Sequence, residues 1–133
     1  MKKEMFSTEI SILRDTFRRL LRRHAKTNII KLIDKTHPAD MALIFRYFND
    51  SEQDTVFAMM RPSEKTVEFL NELDEAITIR IVENETPSRI AEILEEASSN
   101  EQAYLMGLVE ETYAASVIDL FKAEEQEELE EMM

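Results

Sequence analysis

The stretch His37-Pro38-Ala39-Asp40 decides the fold. Proline has its φ already set for a helix and lacks the N–H that a first turn would leave unpaired, so it favours the first helical position. A helix is therefore expected to open at Pro38. His37, as the residue before a proline, is pushed out of the helical region and falls just outside the helix end. A capping or packing role suits it better than a ligand or proton-switch role.

The pattern recurs at Arg61-Pro62-Ser63-Glu64 and at Thr86-Pro87-Ser88-Arg89, which uses all three prolines of the chain. Each proline precedes an apolar run of similar form: Ala42, Ile44, Phe45 and Phe48; Val67, Phe69, Leu70 and Leu73; Ala91, Ile93, Leu94 and Ala97. A fourth copy without proline fits Ala115, Val117, Ile118 and Phe121, leading a last hairpin that turns into the Glu-rich end. A fixed period in this range marks stacked repeats, because one helical hairpin cannot bury its apolar face alone.

Composition agrees. One glycine and three prolines leave little with which to build β-turns, while Leu, Glu, Ala, Met and Lys favour helix. The fold class is all-α. The β-branched segment Ile77-Thr78-Ile79-Arg80-Ile81-Val82 would suit a strand in isolation, but its repeat context makes it a return helix. Gly107 falls inside a helix, where close packing against a neighbour would explain it. Expected N-termini are Thr27 for the second helix, Ser51 with Asp54 for the first return helix, and Ser99 with Gln102 for the third.

The absence of cysteine excludes disulfides and thiolate metal sites and fits a cytoplasmic protein. No apolar run approaches the roughly 18 residues of a membrane span. No phosphate loop or nucleophile–base motif is visible, so the chain is read as not an enzyme. Length allows a single domain with two parts: basic N-terminal helices over 1–36, carrying +6, and acidic hairpin repeats over 37–133, carrying −18.

In the first helix Ile10, Leu13, Phe17, Leu20 and Leu21 share one face, and arginines decorate the rest. Arg18, Arg19, Arg22 and Arg23 are candidate contacts for an anionic partner: nucleic acid, lipid headgroups or the acidic part of the same chain. Without interleaved exposed aromatics, nucleic acid is not expected. The acids offer oxygen donors for a hard divalent cation. Candidate groups are Glu68 with Glu72, one turn apart; Glu92 with Glu95 and Glu96; and Glu124 with Glu127, Glu128 and Glu131. A divalent ion between two acidic surfaces neutralises both and can act as a switchable clamp.

The proline-led hairpins, from His37-Pro38-Ala39-Asp40 through Thr86-Pro87-Ser88-Arg89-Ile90-Ala91-Glu92, resemble the cytosolic N-terminal domain of MgtE-type magnesium transporters over roughly residues 20–133. The resemblance implies a right-handed superhelix of about five short helical hairpins, followed in a longer chain by CBS domains and a membrane pore. It also implies that Mg2+ bridges acidic surfaces of this domain and CBS domains of the same chain or dimer mate, with a homodimer in the full-length protein.

Membrane contact would come only through a region beyond residue 133, with the domain at the cytosolic face. Glu68 matches a family position that supplies a bridging carboxylate. The family's pair of aspartates on the third return helix is replaced here by Asn100 and Tyr104, with Glu101 adjacent. Glu68, Glu72, Glu92 and Glu101 are thus the candidate metal contacts, as part of an interdomain site. A second class of function remains open: a helical-repeat scaffold in a soluble CBS-containing protein without a pore.

Overall fold

The computed structural model describes residues 2–132, with side chains at 8–124 and 130–132. The described residues form nine α-helices and no strand: α1 Lys2–Arg22, α2 Lys26–Lys35, α3 Pro38–Phe45, α4 Asp50–Ala58, α5 Glu64–Glu72, α6 Glu75–Glu83, α7 Pro87–Leu94, α8 Ser99–Leu108 and α9 Glu111–Met132. The all-α, hairpin-by-hairpin architecture expected from the prolines is what the chain adopts. The β-branched segment is helical, as α6.

Local chemistry explains most boundaries. His37 caps α3: its Nδ1 accepts the Ala39 N–H at 3.1 Å, and Pro38 takes the first helical position. Thr86 does the same for α7, its Oγ1 accepting from the Arg89 N–H at 3.3 Å ahead of Pro87. Pro62 departs from this pattern. Arg61 has no side-chain oxygen with which to cap, whereas Ser63 accepts the Thr66 N–H on its Oγ at 3.2 Å and the Val67 N–H on its carbonyl at 3.1 Å. The helix therefore starts at Glu64, after the better cap, and Pro62 stands outside it.

The two return-helix caps also lie earlier than the sequence suggested. In α4 the capping box is Asn49 with Glu52, and in α8 it is Ser98 with Glu101. Each pairs a good N-cap with a glutamate at the third helical position, which outcompetes Ser51/Asp54 and Ser99/Gln102. The next residue is then free for another task. Gln53 Nε2 donates to the carbonyls of Phe45 at 2.7 Å and Phe48 at 3.4 Å, and Gln102 Nε2 to those of Leu94 at 3.0 Å and Ala97 at 3.3 Å. In both hairpins the glutamine thus ties its helix to the end of the preceding one: it adds a donor to the Phe45 and Leu94 carbonyls, which also accept the N–H groups of Phe48 at 3.3 Å and Ala97 at 3.1 Å, and it reaches the carbonyls of Phe48 and Ala97 as well.

The α1–α2 joint is closed by backbone. His24 has φ 53°, the left-handed conformation that ends many helices. The Ala25 N–H reaches the Leu20 carbonyl at 3.0 Å and the His24 N–H the Leu21 carbonyl at 3.1 Å, the two bonds of a Schellman turn. Ala25 then opens α2 directly, its carbonyl accepting from Ile29 N at 3.0 Å without a side-chain cap. That overrides the expected start at Thr27, since one residue ends one helix and begins the next.

Two compact units result. The first comprises Met1–Met60 with Glu68–Asp74, and the second Arg61–Val67 with Glu75–Met133. In the first, α1 packs on α2 and α3 around a train of aromatic rings: Phe17 to Phe48 at 6.0 Å, Phe48 to Phe45 at 5.6 Å, Phe45 to Phe69 at 4.7 Å and Phe69 to Phe57 at 6.4 Å. All five are buried. Met41, Ala42, Ile44, Val56 and Leu70 fill in around them.

In the second unit α9 packs on α7 and α8, with Ile90, Ala91, Ile93, Leu94, Leu105, Ala114 and Val117 buried. Tyr113 fixes α9 by donating its hydroxyl to the carbonyls of Val82 at 2.7 Å and Glu85 at 2.9 Å. Burial, with Glu85 and Glu83 adding to it, pushes that phenol up to about 12.

The last hairpin is a single helix among the described residues: α9 runs unbroken from Glu111 to Met132, and with the four helix pairs before it this agrees with the expected set of about five hairpins. Nothing in Glu124-Glu125-Gln126-Glu127 breaks a helix, as no Gly, Pro or capping residue interrupts it. Its buried alanine is Ala114, not Ala115, which is exposed.

Gly107 is exposed, and a Cβ there would meet nothing within 4 Å, so close packing does not explain it. Helix propensity alone then decides the effect of a side chain. Gly107→Ala is expected to stabilise the protein by about 0.5–1 kcal/mol in chemical denaturation, with an unchanged dependence on denaturant.

Candidate functional site

Glu68 and Glu72 sit one turn apart on α5, both exposed. Their neighbours Val67, Phe69 and Leu70 are buried, so the same amphipathic pattern that anchors α5 turns these two carboxylates outward. Neither enters an ion pair among the described residues. On α7, Glu92 is exposed between buried Ala91 and Ile93, and Glu96 is exposed just past the helix end. The repeat accounts for the correspondence: Glu68 and Glu72 recur as Glu92 and Glu96 in the next proline-led helix.

Glu101 is different. It is half-buried, and its Oε1 accepts the Ser98 N–H at 2.8 Å as part of the α8 capping box. A carboxylate held this way supports the helix N-terminus first. Asn100 and Tyr104, one turn apart on α8, are both exposed. Glu124 and Glu131 lie on α9, while the side chains of Glu127 and Glu128 fall outside the described residues. Among the described residues no group of three or more His, Cys, Asp or Glu side chains is placed to hold a metal ion. Carboxylate oxygens nonetheless fit magnesium, which is commonly held by one or two carboxylates and keeps several waters.

The arginines of α1 divide into two kinds. Arg18 is turned inward onto α4: its Nε donates to Glu52 Oε2 at 3.2 Å, and its Nη2 reaches Glu52 Oε1 at 3.5 Å and the Tyr47 carbonyl. Glu52 Oε1 also accepts the Asn49 N–H at 2.8 Å, so one carboxylate closes the α4 capping box and receives the arginine. An acid of the same chain is thus the anionic contact of Arg18. Arg14 lies over the Tyr47 ring at 5.7 Å. Arg19, Arg22 and Arg23 are exposed.

Sequence reasoning missed the residues that set this geometry: Glu52 as a shared acceptor, Tyr113 as the fastener of α9, and the glutamines that follow the capping boxes. One signal was present. Asn49-x-x-Glu52-Gln53 and Ser98-x-x-Glu101-Gln102 are the same five-residue pattern two repeats apart.

No helix among the described residues is long and apolar enough to cross a membrane. Neither curated proteins nor solved structures gave a match. The family described as the MgtE intracellular N domain matches residues 36–133, well over half of the chain. Proline-led hairpins, a helical fold without strands among the described residues and this match agree, and the chain belongs to the MgtE intracellular N domain family.

Proposed function

We propose that the chain is the regulatory domain of an MgtE-like magnesium transporter, at the cytosolic face of the membrane, and that divalent cations control gating by bridging its carboxylates to adjacent CBS domains. The observation that carries this reading is the exposed carboxylates Glu68 and Glu72 on α5, without an ion pair among the described residues, in a chain that belongs to the MgtE N-domain family. Glu92 supports it from the equivalent position on α7, with the half-buried Glu101 as an auxiliary contact at the start of α8.

The mechanism is electrostatic. The part of the chain from residue 37 onward carries −18, so an acidic partner surface is repelled until a cation neutralises the gap. Magnesium shifts the equilibrium only by binding the closed arrangement more tightly than the open one. One or two carboxylates from this domain supply part of a coordination shell, and the partner and water supply the rest. The isolated domain accordingly binds magnesium weakly.

Limited proteolysis across a magnesium titration tests this, using the chain alone and the chain joined to its CBS domains. Protection is expected at millimolar magnesium in the joined protein and not in the domain alone. Replacing Glu68 and Glu72 together with glutamine should raise the half-protecting concentration about tenfold, equivalent to ~1.4 kcal/mol of lost coupling. No magnesium-dependent protection in the joined protein would discard cation sensing and leave the scaffold role in a soluble CBS-containing protein as the better reading.

A further inference from the structure

Helices α1 and α2 both precede the family-matched residues, and they carry a surface that the cation clamp does not use. A groove of about 340 Å³ opens along α1, lined by Ile10, Ile12 and Leu13, by Leu32 of α2, and by the carboxylates Glu9 and Asp40. Ile12 is 63% exposed, the most exposed large aliphatic side chain among the described residues apart from Met132.

The groove continues a stripe formed along α1 by Glu9, Ile12, Thr16 and Arg19 and, one residue past the helix end, by Arg23, whose N–H still bonds the Arg19 carbonyl at 3.2 Å; the spacings alternate between three and four residues. The stripe is acidic at one end, apolar towards the middle and basic at the other. At its centre Thr16 donates its hydroxyl to the Ile12 carbonyl at 2.8 Å. That bond satisfies the hydroxyl within the helix, so the position does not need water or a polar partner.

We propose that this face pairs with the same face of a second copy of the chain, α1 against α1 antiparallel, with a two-fold axis near Thr16. Glu9 and Arg23 each lie seven residues from Thr16, about 10 Å along the helix in opposite directions. The two-fold therefore sets Glu9 of each copy opposite Arg23 of the other, twice. Ile12 lies against the methylene stem of Arg19 of the second copy, which covers the mouth of the groove that Ile12 lines. Asp40 adds a second acceptor for the incoming arginines.

The charge order selects this arrangement. A parallel pairing would put Glu9 beside Glu9 and Arg23 beside Arg23, which is repulsive. An anionic lipid surface would suit the arginine end alone, would be repelled by Glu9, Asp15 and Asp40, and would leave Ile12 and the groove uncovered. A second copy supplies arginines to Glu9 and Asp40 and covers Ile12 and the groove, and the contact is self-complementary as a two-fold requires.

Analytical ultracentrifugation of the 133-residue chain tests the proposal. A concentration-dependent monomer–dimer equilibrium is expected, its dissociation constant rising several-fold as salt goes from about 50 to about 500 mM because the paired charges are screened. Ile12→Glu should leave only monomer, with an unchanged circular dichroism spectrum because the site is exposed. Arg23→Glu alone should weaken the dimer at least tenfold, and Glu9→Arg combined with Arg23→Glu should restore it. Monomer at every concentration, a dimer indifferent to Ile12→Glu, or a double swap no better than the single would overturn it. So would binding of the monomer to anionic vesicles with no dimer in solution.

Discussion

Phe45→Ala lowers the unfolding free energy by about 3–5 kcal/mol, as expected for deleting a fully buried phenyl ring. Phe45 is completely buried and contacts two other rings, Phe69 at 4.7 Å in an edge-on arrangement and Phe48 at 5.6 Å. Its loss removes the middle link of a train that runs from α1 through α3 and α5 to α4. Each aromatic pair adds about 0.5–1.5 kcal/mol beyond area burial, so two pairs go with one side chain. Phe57→Ala, at the end of the train with one ring contact at 6.4 Å, should cost less. Urea denaturation of the two variants decides the order. Equal losses would show that area alone governs and that the ring geometry contributes nothing.

Gln53→Leu is the second large effect, about 2–3 kcal/mol of destabilisation with almost no change in side-chain volume. Gln53 is buried on α4 and its amide nitrogen is the donor for the Phe45 and Phe48 carbonyls. Leucine fills the space and donates nothing, so the Phe48 carbonyl loses the glutamine donor and the Phe45 carbonyl keeps only the Phe48 N–H at 3.3 Å. Gln102→Leu makes the matching change in α8, where the glutamine is half-buried and the Leu94 carbonyl keeps the Ala97 N–H at 3.1 Å. Its cost should be about half or less. If Gln53→Leu proved neutral, the glutamine bonds would be incidental and the α3–α4 turn would be held by its capping box alone.

These two predictions concern why the hairpins close, and the functional surfaces depend on that closure. Glu52 closes the α4 box and receives Arg18, so the basic helix is tied to the hairpin body through a carboxylate already engaged in capping. An exposed ion pair contributes little by itself, but here the arginine is held at three acceptor atoms, which fixes its orientation. The exposed Arg19 and Arg23 remain available on the other side of the same helix.

The sequence by itself determined the all-α class, the proline-led repeat and the outward-facing carboxylates, because these follow from single-residue preferences and from helical periodicity. Pro38 and Pro87 open helices because the residues before them, His37 and Thr86, carry acceptors that cap. Tertiary structure decided matters that depend on competition between neighbours. Ser63 displaced the helix start from Pro62 because Arg61 cannot cap. A left-handed His24 began α2 at Lys26 and made a cap at Thr27 unnecessary.

The same division holds at the candidate sites. Glu68, Glu72 and Glu92 could be placed on exposed helix faces from spacing alone. That Glu101 is committed to capping α8, that Arg18 is turned onto Glu52, and that Ile12 faces a groove completed by Leu32 and Asp40 could not. Each depends on residues of different helices meeting in space. A one-dimensional pattern gives the face of a helix that is buried or exposed, and only the packing of several helices gives the partner.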